Sequence, residues 1–256
     1  MKRRVIITGG SKGIGKAIAE RFAKEEYDIY LLASNKENLE NTKSELQNKY
    51  YINVNYHTAD LKTKTGCENA IKAVGKEFKN FDTLIFSAGA TKSGDFLKQP
   101  IEDFEDGFAL KFYSAVRLSK AFWPILSQNK GWIVSINGAM SHSPDPFFMV
   151  GGAVNAAFLN FTKALSKRGL VDGVNVNSIN PGMTSTDRLI KIIQNNAERE
   201  GISYSDAEKN ALRNIGLDRF STPEEIAELA YFLCDPKVRH LTGTEINLDG
   251  GKKPTI

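Results

Sequence analysis

The sequence predicts an α/β fold built on a doubly wound parallel sheet, and two observations predict it. Short β-branched runs alternate with amphipathic stretches from one end of the chain to the other. A glycine-rich turn separates the first strand-like run from the first helix-like one, the order of a strand–helix–strand unit.

The strand-like runs fall at 4–8, 28–33, 54–58, 83–87, 132–136, 173–179 and 244–248. Between the first two, 13–24 puts Ile14, Ala17, Ile18 and Phe22 on one helical face. A polar, charged helix is predicted over 37–49 and another near 66–78. A long helix at 102–126 stops at the Gln128-Asn129-Lys130-Gly131 turn, and a further one covers 151–167. The last, 223–234, opens with Thr222 before Pro223 and Glu225 at capping-box spacing. Right-handed crossovers between parallel strands then place helices on both faces, the Rossmann type. Residues 184–216 form the one long irregular stretch, polar and charged. It reads either as a substrate lid or as a helical excursion without function. No repeat, low-complexity segment or linker divides the chain, so 1–256 reads as one nucleotide-binding domain.

The charge balance is 34 basic against 30 acidic residues, net +4, with the basic residues scattered. A nucleic-acid footprint needs a stripe or block, so no nucleic-acid partner is expected. The slight excess favours anionic small ligands. Cys67 and Cys234 lack metal-ligand spacing and read as core thiols in a reducing compartment. After the basic stretch 1–4, whose Lys2, Arg3 and Arg4 carry the charge, only three apolar residues precede the glycine turn. That is too short for a secretory signal, and no run approaches a membrane span. The expectation is a soluble cytoplasmic protein with no membrane partner.

The strongest local signal is Thr8-Gly9-Gly10-Ser11-Lys12-Gly13-Ile14-Gly15. Glycines there permit a tight turn and close approach of a diphosphate, and the helix that follows offers free N–H groups and a partial positive charge. Gly9, Ser11, Lys12, Gly13, Ile14 and Gly15 are therefore candidate dinucleotide-binding residues. At the tip of the second strand, where an acid would hold the ribose diol of NAD, stands Ala33-Ser34-Asn35-Lys36. Ser34, Asn35 and Lys36, joined by Lys12, can donate to a 2′-phosphate, which predicts NADP(H) over NAD(H). The alternative is that Lys12 and Lys36 are solvated surface lysines.

These residues and their order resemble the short-chain dehydrogenase/reductases over nearly the full length. The Thr8-Gly9-x-x-x-Gly13-x-Gly15 run is similar to that family's glycine signature, and Asp60-Leu61 sits where the family contacts adenine. Phe86-Ser87-Ala88-Gly89 resembles its Asn-Asn-Ala-Gly stretch. Asn180-Pro181-Gly182-Met183-Thr184-Ser185-Thr186 resembles its Pro-Gly segment on the nicotinamide side. Leu241-Thr242-Gly243-Thr244 and Asp249-Gly250-Gly251 are similar to its C-terminal end. The resemblance implies about seven parallel strands, a homo-dimer or homo-tetramer, and hydride transfer between NADP(H) and a small carbonyl or alcohol. It adds Asp60, Leu61, Ala88, Gly89, Pro181, Gly182, Thr184 and Thr186 to the candidate cofactor residues.

The family's catalytic tyrosine, lysine, serine and asparagine are not in place. Their positions carry Gly151, Asn155, Gly138 and Lys111, and no tyrosine occurs between Tyr113 and Tyr204. Lysine and asparagine are thus exchanged. Asn155 could hydrogen-bond the nicotinamide ribose, and Lys111 could supply charge or a proton to a developing alkoxide. Gly138 and Gly151 would leave extra room around them. His142, in the loop after the fifth strand, is a second candidate acid. Phe147, Phe148 and Met149 line a substrate pocket or pack the core. Two readings stand: an oxidoreductase with a rebuilt active site, or a catalytically silent nucleotide-binding protein that senses or scaffolds.

Overall fold

The computed structural model describes residues 2–252. Its strands are β1 (Arg4–Thr8), β2 (Asp28–Ala33), β3 (Val54–Thr58), β4 (Thr83–Phe86), β5 (Trp132–Ile136), β6 (Asn175–Pro181) and β7 (Glu245–Leu248). They form one seven-stranded sheet in the order β3-β2-β1-β4-β5-β6-β7. Every pairing is parallel. The seven runs read from the sequence are these seven strands, with ends shifted by two residues at most.

Side chains alternate across the sheet with the period of two that strands impose. Val5 and Ile7 face one core with Ile29, Leu31 and Val134, beneath α1 (Gly13–Lys24) and α9 (Pro223–Phe232). Ile6 faces the other with Tyr30, Leu84 and Ile133, beneath α3 (Lys64–Glu77), α5 (Ser114–Gln128) and α6 (Met149–Asp172). Both faces of the central strands are buried, as parallel sheets require. Cys67 and Cys234 are free thiols within these cores. No helix among the described residues is long and apolar enough to cross a membrane.

Strand order reverses between β1 and β4, so a crevice opens beyond their carboxyl ends. Thr8 Oγ1 holds its rim, accepting from the Ser87 and Ala88 amides at 3.1 Å each. The glycine turn leaves β1 at this point and enters α1, whereas α2 (Lys36–Lys49) starts from the tip of β2.

Two elements differ from the sequence reading. The long helix is α4 (Ile101–Gly107) running into α5 through a π-helical turn at Phe108–Tyr113. Such turns cost regular i→i−4 bonding and recur at functional sites; Lys111 lies inside this one. The stretch 184–216 is not irregular. It holds α7 (Asp187–Glu200) and α8 (Tyr204–Ile215), with Gly201 and Gly216 as left-handed C-caps. Leu189, Ile193 and Ala197 recur four apart and pack with Ala207 and Phe220 into a small core of their own. The charged residues between them masked that period. Thr184 and Ser221 pair as an isolated bridge at its base.

Candidate functional site

The glycine turn has the geometry its sequence predicts. Gly9 adopts φ +69°, and a Cβ there would stand 2.8 Å from the Ala88 amide nitrogen. A Cβ on Gly15 would meet Gly9 O at 2.2 Å. The first turn of α1 carries no acidic residue, and no side chain caps it at Lys12. Its amides are thus free to face an anion. Across the mouth stands Thr186, whose methyl lies 3.4 Å from where Gly13 would carry a Cβ. Thr186 Oγ1 donates to Thr184 O at 3.3 Å, and Gly182 N donates to Leu248 O at 2.9 Å. The glycine turn and the segment that carries Thr186 therefore meet beyond the end of β1. Ala88, just past β4, lies against Gly9.

The other candidates are placed less evenly. Ser34, Asn35 and Lys36 are exposed at the tip of β2. Asn35 caps α2 by accepting from Asn38 N at 2.8 Å, and Lys36 Nζ lies 3.6 Å from Glu40. Lys12 is exposed at the start of α1, and Ile14 packs partly into the core behind it. Ser11 is buried, its carbonyl accepting from Thr42 Oγ1 at 3.3 Å. Asp60 makes a local turn, with Oδ1 accepting from Lys62 N at 3.1 Å. Leu61 sends its side chain into the core.

Lys111 and Asn155 come together. Lys111 Nζ donates to Asn155 Oδ1 at 2.6 Å and to Asn137 O at 2.6 Å. Lys111 is 9 % exposed and Asn155 6 %, so the contact is shielded from water. Burial and then the charge of Arg188 push the Lys111 ammonium down to about 7. Its ordinary value is 10.5, so between pH 7 and 10.5 the unfolded chain binds the extra proton. Stability should therefore rise with pH across that window, and below it the cost of the buried charge is carried in full. Urea unfolding at several pH values checks this: Lys111→Met should remove the rise.

The room expected at Gly138 and Gly151 is taken. A Cβ on Gly151 would lie 2.0 Å from Phe148 Cε1, so the Phe148 ring occupies the start of the path that a side chain at 151 would follow. A Cβ on Gly138 would stand 2.7 Å from Asn155 Nδ2. Phe148 and Asn155 thus fill the space that larger side chains at 151 and 138 would need. Gly151→Val should cost about 1–3 kcal/mol by overpacking. Combined with Phe148→Ala, thermal melts should show less than the sum of the two losses; additivity would mean the ring and residue 151 do not compete.

His142 is engaged elsewhere. Its Nε2 lies 2.5 Å from Glu245 Oε1 on β7, beside a cavity of about 490 Å³ bordered by Lys163 and Ser178. Asn180 Nδ2 donates to the same carboxylate. Sequence reasoning missed Arg188, at the start of α7. Its Nη2 donates to Thr91 Oγ1 at 2.9 Å, and its Cζ stands 5.9 Å from the Phe148 ring centroid. A cation two residues after Thr186 was the available signal.

The chain is similar to known proteins over its full length. The chain is 28% identical over 260 residues to the NADPH-dependent reductase BacG of Bacillus subtilis, covering 100% of this chain and 99% of that one. It superposes on the crystal structure of YwfH, an NADPH-dependent reductase involved in bacilysin biosynthesis, with TM-score 0.93, 27% identity and full coverage of both. L-sorbose reductase from Gluconobacter frateurii, solved with NADPH and L-sorbose, matches at TM-score 0.93 and 28% identity over 100% of this chain and 98% of that one. Residues 3–197 match the short chain dehydrogenase family as a whole, and the chain belongs to that family.

Proposed function

We propose that this chain is an NADP(H)-dependent oxidoreductase that interconverts a small carbonyl compound and its alcohol, with Lys111 in the proton-handling role. The observation that carries the reading is the buried Lys111 ammonium held by Asn155 and Asn137 next to Gly89.

The residues fit a dinucleotide, since α1 opens on uncapped amides beneath glycines that a Cβ would jam. Gly9, Ser11, Lys12, Gly13, Ile14 and Gly15 would hold the diphosphate. Ser34, Asn35 and Lys36, with Lys12, would take a 2′-phosphate, and Asp60 and Leu61 would border the adenine. Ala88, Gly89, Asn155, Pro181, Gly182, Thr184 and Thr186 would border the nicotinamide half. The relatives named for NADPH support the same cofactor. When bound, the reduced dinucleotide supplies hydride to the carbonyl carbon. Lys111 holds a proton at Nζ and gives it to the carbonyl oxygen, returning as a neutral amine. An ammonium near neutrality is suited to that transfer. Asn155 Oδ1 and Asn137 O fix where Nζ sits. His142, tied to Glu245, is given no step. The two helices over 187–215 cover the crevice as a lid, and the active unit is a homo-dimer or homo-tetramer.

Titration with NADPH and NADH, then a carbonyl panel followed by NADPH absorbance, tests the reading. Lys12→Glu with Lys36→Glu should weaken NADP(H) more than NAD(H); equal losses would remove the selectivity argument. The second reading, a silent nucleotide-binding protein, is favoured by the Phe148 ring packed over Gly151. Cofactor binding without turnover on any carbonyl, in wild type and in Phe148→Ala alike, would establish it.

A further inference from the structure

Two cations flank a single residue at this site. The aliphatic stem of Lys111 runs along Gly89, where a Cβ would meet its Cδ at 3.5 Å. Arg188 reaches the same residue from α7: Nη1 donates to Gly89 O at 3.4 Å and Nη2 to Thr91 O at 3.2 Å. The Arg188 charge is felt at Lys111.

All recorded partners of both cations are uncharged oxygens. Among the described residues neither has a carboxylate within the 4.0 Å of an ion pair. Elsewhere in the chain other arginines find acids: Arg21 pairs with Glu25 and Glu228, Arg168 with Asp172, Arg219 with Glu225. Lys111 is buried and Arg188 is exposed; setting like charges side by side without a counter-charge is unfavourable, and an arriving anion relieves it. A guanidinium resting on backbone carbonyls gains charge-assisted, bidentate bonds when it exchanges them for a carboxylate.

We propose that the substrate is an anionic carbonyl compound, an oxo acid whose carboxylate is taken by Arg188 while its carbonyl oxygen lies at Lys111. The proposal rests on the reductase reading above and names its substrate class. Because one residue separates the two cations, few bonds separate the two substrate groups, as in a 2-oxo or 3-oxo acid. Phe148, whose ring borders Arg188, supplies an apolar wall for the rest of the molecule.

The test compares benzoylformate and pyruvate with their methyl esters as oxidants of NADPH. Wild type should prefer each acid over its ester by at least tenfold in kcat/KM. Arg188→Gln should raise KM for the acids about tenfold or more and leave the esters unchanged, whereas Arg188→Lys should recover part of the preference. Equal use of acid and ester by wild type, or equal loss on both in Arg188→Gln, overturns the proposal. Binding is read separately, by calorimetry of benzoylformate and of pyruvate on the protein saturated with NADP+, where no reduction can occur. Binding that Arg188→Gln weakens tenfold supports the anion site even if no compound is reduced, and the reductase reading alone then fails. No binding of either acid, or binding that Arg188→Gln leaves unchanged, removes the anion site.

Discussion

Lys111→Ala is expected to lower kcat for carbonyl reduction by about 10²–10⁴, the range seen when a positioned acid is removed. Affinity for NADPH should stay within a few-fold, because the glycine turn and α1 do not depend on that side chain. The size follows from what the ammonium does: it is shielded from water, held by two short bonds, and poised to lose its proton near neutrality. The pH profile carries the same signature. Reduction needs the protonated form, so kcat should fall as pH rises through about 7, and alcohol oxidation should gain over the same range. Lys111→Arg would keep a charge but not a proton that leaves near neutrality. It should flatten that limb without restoring the rate. Turnover retained in Lys111→Ala, or a pH limb that survives it, would clear Lys111 of a chemical role.

The fold and the glycine turn were legible because each rests on local rules. Alternating apolar residues fix which way Val5, Ile6 and Ile7 point, and the glycines at 9, 13 and 15 stand where a strand must become a helix. The meeting of Lys111 with Asn155 was legible only as an exchange of residue types; its geometry depends on a π turn that no spacing rule marks. The filled space at Gly138 and Gly151 was illegible for a related reason. Glycine in a sequence reads as room, yet Phe148 and Asn155 approach from other segments and take it. Arg188 escaped notice because its neighbours Gly89 and Thr91 lie almost a hundred residues away in sequence. Helices α7 and α8 were hidden differently: their four-residue period was present, but the window around it was rich in charge.

Gly15→Ala should weaken NADPH binding by about a hundredfold or more while the chain stays folded. The added methyl would sit 2.2 Å from Gly9 O, and that carbonyl cannot retreat alone. Gly9 itself holds φ +69° and lies against the backbone of Ala88, so any shift passes to the rim that β4 provides. In the proposed binding mode the backbone of the turn approaches the diphosphate closely, and that approach is lost with the first displacement. Overpacking there should cost about 1–3 kcal/mol, which for a chain of this size is a fall in Tm of a few degrees. Gly75→Ala is the matched control, since nothing lies within 4 Å of a Cβ at that position in α3. It should raise stability slightly, through helix propensity, and leave NADPH affinity alone. Circular dichroism and melting temperature would separate a lost site from a lost fold. If Gly15→Ala binds NADPH as wild type does, the dinucleotide is held somewhere other than this turn, and the proton path assigned to Lys111 loses the cofactor that gives it meaning.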